Sequence, residues 1–359
     1  MKRPSKSAWL FLTLCLAPLA HGELHAPLKP EELTNGTQTL APLANLQKQV
    51  AQNAALLLDK KGKAVATATW VGDEGYFITK ASEVSRLEEC SLQWGAGPAV
   101  KIREIRRDSR DDLVLAQAIN VKGVRSVEFI TAKDLDYGQW LVAPAKAAEL
   151  KMGVFSAQKR PIKGYGAAIG VRMDDKTPAE LKGVRIIGVA EDSPAASAGL
   201  QANDIMLELA GESVGEFRRV NEIISKKQPG EEIEVKFKRG DKEDHLYVRL
   251  ASRSRVLSNW DGEDFANGGI SIRTDNFAEV IQHDLPLNPA DMGGPLLDLQ
   301  GRAVGVNIAR VDRVTTFALP SEIFWPKIQK WLEVDRHPPK ALPAKSEKTE
   351  PTPEQPPQS

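Results

Sequence analysis

The sequence predicts a mostly β protein interrupted by one α+β module, and three observations carry that prediction. Short, often β-branched runs separated by Gly, Asp and Lys clusters fill residues 56–143, the spacing of an all-β barrel. Residues 165–250 then mix five strand-like runs with two helical patches, and strand texture resumes at Ile270. With 359 residues, 42% of them apolar and 27% charged, the chain has material for two or three packed domains, which excludes a disordered or fibrous protein.

In chain order, Lys2, Arg3 and Lys6 precede an apolar run over 8–20, and small residues Ala20 and Gly22 follow at the spacing a signal peptidase reads. Residues 1–22 therefore read as a signal peptide cleaved after Gly22, and the protein as exported, periplasmic or extracellular. The run is about thirteen residues, short of the ~20 that span a bilayer, so no stable membrane span is expected. Removing three bases from 48 leaves 45 Lys and Arg against 48 Asp and Glu, so no nucleic-acid partner is implied. Leu14 before Cys15 argues against lipidation. Cys90 is then the one mature cysteine, with no internal disulfide, and is expected to be a buried thiol. No cofactor or metal site is read from the sequence.

Residues 23–55 form a polar, proline-spotted lead-in that ends in a helix over 43–55, with Leu46, Val50 and Ala54 on one stripe. Strands are expected at 56–59, 65–71, 76–79, 91–94, 101–106, 113–116 and 140–143. Inside the module they fall at 168–173, 184–189, 205–209, 232–238 and 246–250, with helices at 195–199 and 216–227. A polar bridge spans 253–262. Strands follow from Ile270, at 304–309 and at 315–319, and Ser321 caps a helix over 322–332 striped by Phe324, Ile328 and Trp331. The Pro-, Lys- and Glu-rich stretch 334–359 lacks the apolar residues to offset its ordering entropy and reads as a disordered tail. Asn35-Gly36-Thr37 fits a glycosylation sequon, relevant only in a eukaryotic secretory setting.

The stretch Asn288-Pro289-Ala290-Asp291-Met292-Gly293-Gly294-Pro295 has the form of a serine-protease nucleophile loop with methionine in the nucleophile place. Upstream lie WVGDEGYFITKASEV over 70–84 and DSRDDLVL over 108–115, and VIQHD over 280–284 leads into the loop. In order and spacing these pieces resemble the trypsin-like double β-barrel of exported HtrA/Deg-type serine proteases. That resemblance implies barrel segments over 56–160 and 262–333, with Ser82 at the base position, Asp112 at the carboxylate position and Met292 at the nucleophile position.

Serine hydrolysis needs a nucleophile, a base to take its proton and a carboxylate to orient the base. A thioether has no proton to lose. None of the mature histidines His25, His245, His283 and His337 lies in the first barrel. His283, shortly before the loop, is the one displaced-base candidate, with a structural strand role as its alternative. Ser82 and Glu83 beside Asp112 make a conceivable dyad, but no base of suitable pKa is evident. Losing nucleophile or base removes about a million-fold in turnover. Asp112 is then expected to accept backbone N–H groups at a turn. The backbone of Ala290, Asp291, Gly293 and Gly294 is the candidate oxyanion-like nest, with Met292 as an apolar contact in its crevice; the alternative is a collapsed, filled cleft.

The inserted segment, 165–251, carries Ala168-Ile169-Gly170-Val171, VRIIGVAEDSPAASAGL over 184–200 and NDIMLELAG over 203–211, and resembles a bacterial PDZ domain. The resemblance implies that a peptide or protein C-terminus adds as a strand, its carboxylate on the N–H groups of Ile169, Gly170 and Val171, its last side chain against Phe217, Val220 and Ile224. Plain core packing is an equal alternative for Val220 and Ile224. In the resembling proteases such modules follow the barrels, whereas here one interrupts the second, which requires guest termini that lie close together. The expectation is an exported pseudoprotease, not an enzyme, acting as scaffold, sensor or holdase, with an active protease relative as a further candidate partner and oligomerisation left open. The rival is an active HtrA-like endopeptidase in quality control of exported proteins.

Overall fold

A computed structural model describes residues 27–84, 86–146, 148–258 and 268–338. The expected signal peptide, Cys15 and most of the expected tail lie outside the described residues. The first barrel is one curled antiparallel sheet of β1 (Ala54–Leu58), β2 (Ala64–Trp70), β3 (Tyr76–Lys80), β4 (Ser91–Gln93), β5 (Ile102–Asp108) and β6 (Leu113–Ala118), in the order β4-β1-β2-β3-β6-β5. A bridge between Leu92 and Val100 draws its two ends together. Every residue of β3 is buried. Phe77 joins Trp70 and Leu92 in the barrel interior, while Tyr76 and Ile78 face a second core, so the strand reads as a continuous run and not as an alternation.

The second barrel opens with β7 (Trp140–Ala145) and β8 (Glu149–Ile162). The module follows with β9 (Ala167–Ala168), β10 (Val171–Met173), β11 (Val184–Val189), β12 (Ile205–Leu209), β13 (Glu212–Ser213), β14 (Glu232–Arg239), β15 (Lys242–Arg249) and β16 (Ala251–Ser252). The chain then completes the barrel with β17 (Phe277–His283), β18 (Pro295–Leu297), β19 (Ala303–Arg310) and β20 (Thr316–Pro320), closed in the order β17-β20-β19-β18-β7-β8. β8 and β17, which flank the module in sequence, are hydrogen-bonded neighbours with Ile162 opposite Phe277. The module thus leaves and rejoins its host at one point, the arrangement that lets an insertion fold without opening the barrel.

Among the described residues six α-helices decorate this frame: α1 (Thr37–Leu40), α2 (Ala44–Asn53), α3 (Pro194–Ala198), α4 (Phe217–Ser225), α5 (Arg253–Ser258) and α6 (Ser321–Arg336), and none of them is long and apolar enough to cross a membrane. α2 lays Leu46 and Val50 on Val142, Leu150 and Met152 of the second barrel, and Asn35 exchanges two hydrogen bonds with the Met152 backbone (3.0 and 2.8 Å). α6 packs Phe324, Ile328 and Leu332 against Ile78, Leu115 and Ile308, drawing on both barrels.

Several expectations need correction. Ala54 begins β1 and does not end the preceding helix. The strand expected over 168–173 breaks at Ile169 and Gly170, where Gly170 adopts φ +84°. The polar bridge starts with α5. No strand begins at Ile270; residues 270–276 are held irregular by side chains, with Ser252 Oγ and Tyr165 N both donating to Asp275 (2.9 and 3.3 Å). α6 runs on through Arg336, because Asp335 accepts from Arg103 (2.8 Å) and Tyr76 (2.8 Å), so the tail cannot begin at Val334. Cys90 is half-buried, at the end of a 3-10 turn and not within a strand, and burial pushes its thiol pKa up.

Candidate functional site

β3 ends at Lys80, and the turn after it delivers Ser82 to the loop before β6. Asp112 sits there in the left-handed region (φ 57°), which turns its carboxylate back toward Ser82. Ser82 N donates to Asp112 Oδ1 (2.7 Å) and Ser82 Oγ to Oδ2 (2.8 Å). The carboxylate therefore caps a turn, as its loop position predicts. Burial lifts its pKa above the ordinary carboxylate range, against the pull of Lys80, Arg273 and the two Ser82 donors.

Two buried cations complete the cluster, and neither is evident as a site residue in the sequence. Lys80, wholly buried, donates to Glu83 Oε1 (3.1 Å) and to the Arg273 carbonyl (3.1 Å), with Asp112 Oδ2 4.0 Å away. Arg273 donates to the carbonyls of Ser109, Arg110, Asp275 and Asn276 and lies 4.6 Å from the Phe277 ring centroid. The signal that could have found Lys80 is its place at the end of an otherwise uncharged strand with Glu83 three residues on. Among the described residues the group that meets the Ser82 hydroxyl is the Asp112 carboxylate, and Lys80 is committed to Glu83 and the Arg273 carbonyl.

The Met292 loop keeps its shape and turns its donors inward. Residues Pro289–Asp291 form one 3-10 turn, and Asp291 Oδ2 accepts from Asn288 N (2.7 Å) while Oδ1 accepts from Lys146 N (2.8 Å). Asp291 N donates to Asn288 O (2.9 Å), Met292 N to Pro289 O (3.1 Å), Gly293 N to Asn307 O (2.7 Å) and Gly294 N to Asp291 O (3.2 Å). The N–H groups of Asp291, Gly293 and Gly294 are thus committed to the protein's own carbonyls, which fits the collapsed cleft given as the alternative to a nest, because an N–H that already serves a carbonyl is not on offer to a ligand. Gly293 has φ +91°, and a Cβ there would lie 2.2 Å from Thr67 O, so the loop is pressed against the first barrel. Met292 is 0% exposed and packs with Leu141, Phe155, Ile281 and Leu296 inside the second barrel, which overturns the crevice contact expected of it.

His283 also lies inside that barrel. Its Nδ1 accepts from Leu285 N (3.3 Å), which leaves Nε2–H to donate to Asn307 Oδ1 (2.8 Å), and burial lowers its pKa to about 4. It is a neutral structural histidine and is not brought to Ser82.

The module closes over this cluster. A cleft of ≈ 400 Å³ separates Ser82, Arg107 and Asp112 from Gln228, Glu231 and Tyr247. Arg249 donates to Glu83 O (3.0 Å), Arg86 pairs with Glu232, and the Arg86 guanidinium lies 5.2 Å from the Tyr247 ring centroid.

Within the module, β10 is the edge of the sheet β10-β11-β12-β14-β15. Ile169 O accepts from Ala195 N (2.8 Å) and Gly170 O from Ala190 N (2.9 Å). A trans peptide holds its N–H opposite its C=O, so the N–H groups of Gly170 and Val171 point away from those partners, toward the unpaired side of β10. Ser193 accepts from Ala196 N (3.1 Å) to cap α3, and Gly199 (φ 98°) ends it. Val220 and Ile224 belong to the module core with Ile169 and Ile223, whereas Phe217, at the start of α4, is 42% exposed. Of the expected pocket wall, only Phe217 offers a substantial free surface.

Residues 167–250 match the PDZ domain family model. Curated relatives include a probable periplasmic serine endoprotease DegP-like of Marinomonas sp., 38% identical over 60 residues (15% of this chain, 13% of the relative). The putative serine protease HhoB of Synechocystis sp. is 43% identical over 67 residues (19% of this chain, 16% of the relative). The chain thus spans less than a fifth of the length of these relatives. Among solved structures, the HtrA-type protease AlgW with decapeptide shows 15% identity and a TM-score of 0.28 over 59% of this chain and 98% of that one. The serine endoprotease from Yersinia pestis shows 12% identity and a TM-score of 0.29 over 58% of this chain and 97% of that one. The chain carries a PDZ domain, and a segment of it is similar to DegP-like and HhoB serine proteases.

Proposed function

We propose that the protein is an exported pseudoprotease whose PDZ domain captures peptide or protein C-termini, so that it works as a scaffold, sensor or holdase. The observation that carries this reading is Met292: the nucleophile position is filled by a side chain packed in the second-barrel core, where no substrate carbonyl can reach it. Ser82 at the base position supports it, since its hydroxyl serves Asp112 and no imidazole stands nearby. The outward N–H groups of Gly170 and Val171 on an unpaired strand edge support C-terminal capture, with Phe217 as the exposed apolar wall. Export to the periplasm is supported by the pattern of residues 1–22 and by the periplasmic naming of the DegP-like relative. An active protease relative is a further partner of this reading.

The test is degradation of an unfolded model protein by residues 23–359 beside an Asp112→Ala variant, with binding of the same chain to an immobilised library of peptide C-termini. No cleavage together with selective capture is the expected result. Cleavage that disappears in Asp112→Ala would overturn the proposal in favour of an active endopeptidase.

A further inference from the structure

The turn between α4 and β14 of the PDZ domain is built into the first barrel at Ser82. Gly230 has φ +92°, and a Cβ on it would lie 2.6 Å from Ser82 Cβ and 2.8 Å from Ser82 Cα. Pro229 beside it is buried. The turn is stiff at its base, where Gly230 N donates to Leu250 O (2.7 Å) and Leu250 N to Glu231 O (2.8 Å). On its flank Asn276 Nδ2 donates to Gln228 Oε1 (3.2 Å).

We infer that Gly230 latches the PDZ domain to position 82: lacking a side chain, the turn seats against Ser82 more closely than any residue with a Cβ would allow, and a bulkier group at position 82 competes for the same room. The charged contacts around the seam do not set this geometry alone. Arg86 is substantially exposed, and exposed pairs hold two surfaces together only weakly. Steric fit at Gly230 is the demanding element, because a Cβ there would collide with Ser82 Cβ and Cα, although a cleft of ≈ 400 Å³ lined by Ser82, Pro229 and Gly230 opens beside that contact. The effect of the latch is to fix the orientation of the β10–α4 groove relative to the barrels, since α4 ends at Ser225 and leads directly into the turn. The inference does not depend on what the groove binds.

Hydrogen–deuterium exchange on residues 23–359 tests it reciprocally, reading the module side for a barrel variant and the barrel side for a module variant. In Ser82→His, amides over 228–232 are expected to exchange about tenfold faster while β14 and β15 keep their protection. In Gly230→Val, the segment 81–84 is expected to loosen by about the same factor, which a merely distorted turn would not cause. Ser82→Ala, smaller still, leaves 228–232 protected. If Ser82→His also strips protection from β3 and β6, the barrel has been broken and Gly230→Val decides alone. Unchanged exchange over 81–84 in Gly230→Val overturns the latch.

Discussion

In the loop before β10 the carbonyls of Ile169 and Gly170 turn into the PDZ domain, to Ala195 and Ala190, which leaves the following N–H groups facing outward. In the loop that carries Met292 the N–H groups of residues 291–294 turn to carbonyls of the barrel's own backbone, and none of the four is left over. Both loops contain a glycine with positive φ, Gly170 at +84° and Gly293 at +91°. Glycine supplies the bend in each case, but the direction of the adjacent peptide planes decides whether the bend becomes a receptor or a piece of core.

The sharpest contrast between the two regions lies in their ion pairs. Lys80 is wholly buried against Glu83 and Asp112, whereas Arg239 of the PDZ domain, paired with Asp204, has a side chain 42% exposed. Lys80→Ala is expected to destabilise the barrels by about 3–5 kcal/mol, because two buried carboxylates lose their ammonium partner. Arg239→Ala should cost less, about 1–3 kcal/mol, because Asp204 is itself buried but keeps Gln201 N as a donor (2.8 Å) and the guanidinium it loses is half-exposed. Urea unfolding resolved by exchange in β3 and β6 against β14 and β15 measures both. Equal losses would erase the distinction between a wholly buried cation and a half-exposed one.

Acid should separate the regions next. His283 has a folded-state pKa of about 4 against an ordinary 6.5, so the unfolded chain binds the extra proton between those values. Its contribution is present above about pH 6.5, fades as the pH falls, and is fully lost by about pH 4; the shift amounts to about 3 kcal/mol. The PDZ core cluster contains no histidine and should lack this step. Stability of the second-barrel strands followed from pH 7 to 4, in the parent and in His283→Gln, checks the claim. A step that persists in His283→Gln must belong to another group.

What sequence could convey follows from how local each feature is. Ser193 capping α3 and Gly199 ending it depend on neighbours a few residues away, so a helix at 195–199 was legible locally, one residue late at each end of Pro194–Ala198. Met292 was legible for a different reason: a thioether fails as a nucleophile in any fold. The inward turn of its loop was not legible, because it needs Asn307 O and Lys146 N from distant strands. Lys80 meets the Arg273 carbonyl across 193 residues, and Asp335 meets Tyr76 across 259, so neither the charged cluster nor the true end of α6 has a local signature. Val220 and Ile224 share the helical stripe with Phe217, and periodicity alone cannot say that the first two are core and the third is free.

Phe217 gives the smallest effect on the fold and the most direct test of the groove. Its ring is exposed at the first position of α4, so Phe217→Ala removes little buried contact and should shift stability by no more than about 0.5 kcal/mol. If an apolar terminal side chain packs on that ring, affinity for captured C-termini should fall about tenfold, or about 1.4 kcal/mol. Asp112→Ala inverts the pattern, weakening the seam while leaving the affinity of the folded protein unchanged. Peptide titrations paired with thermal melts of the two variants give both numbers. Affinity untouched by Phe217→Ala would mean that the ring does not wall the binding site, and the search for the ligand would move to the unpaired edge of β10 away from α4.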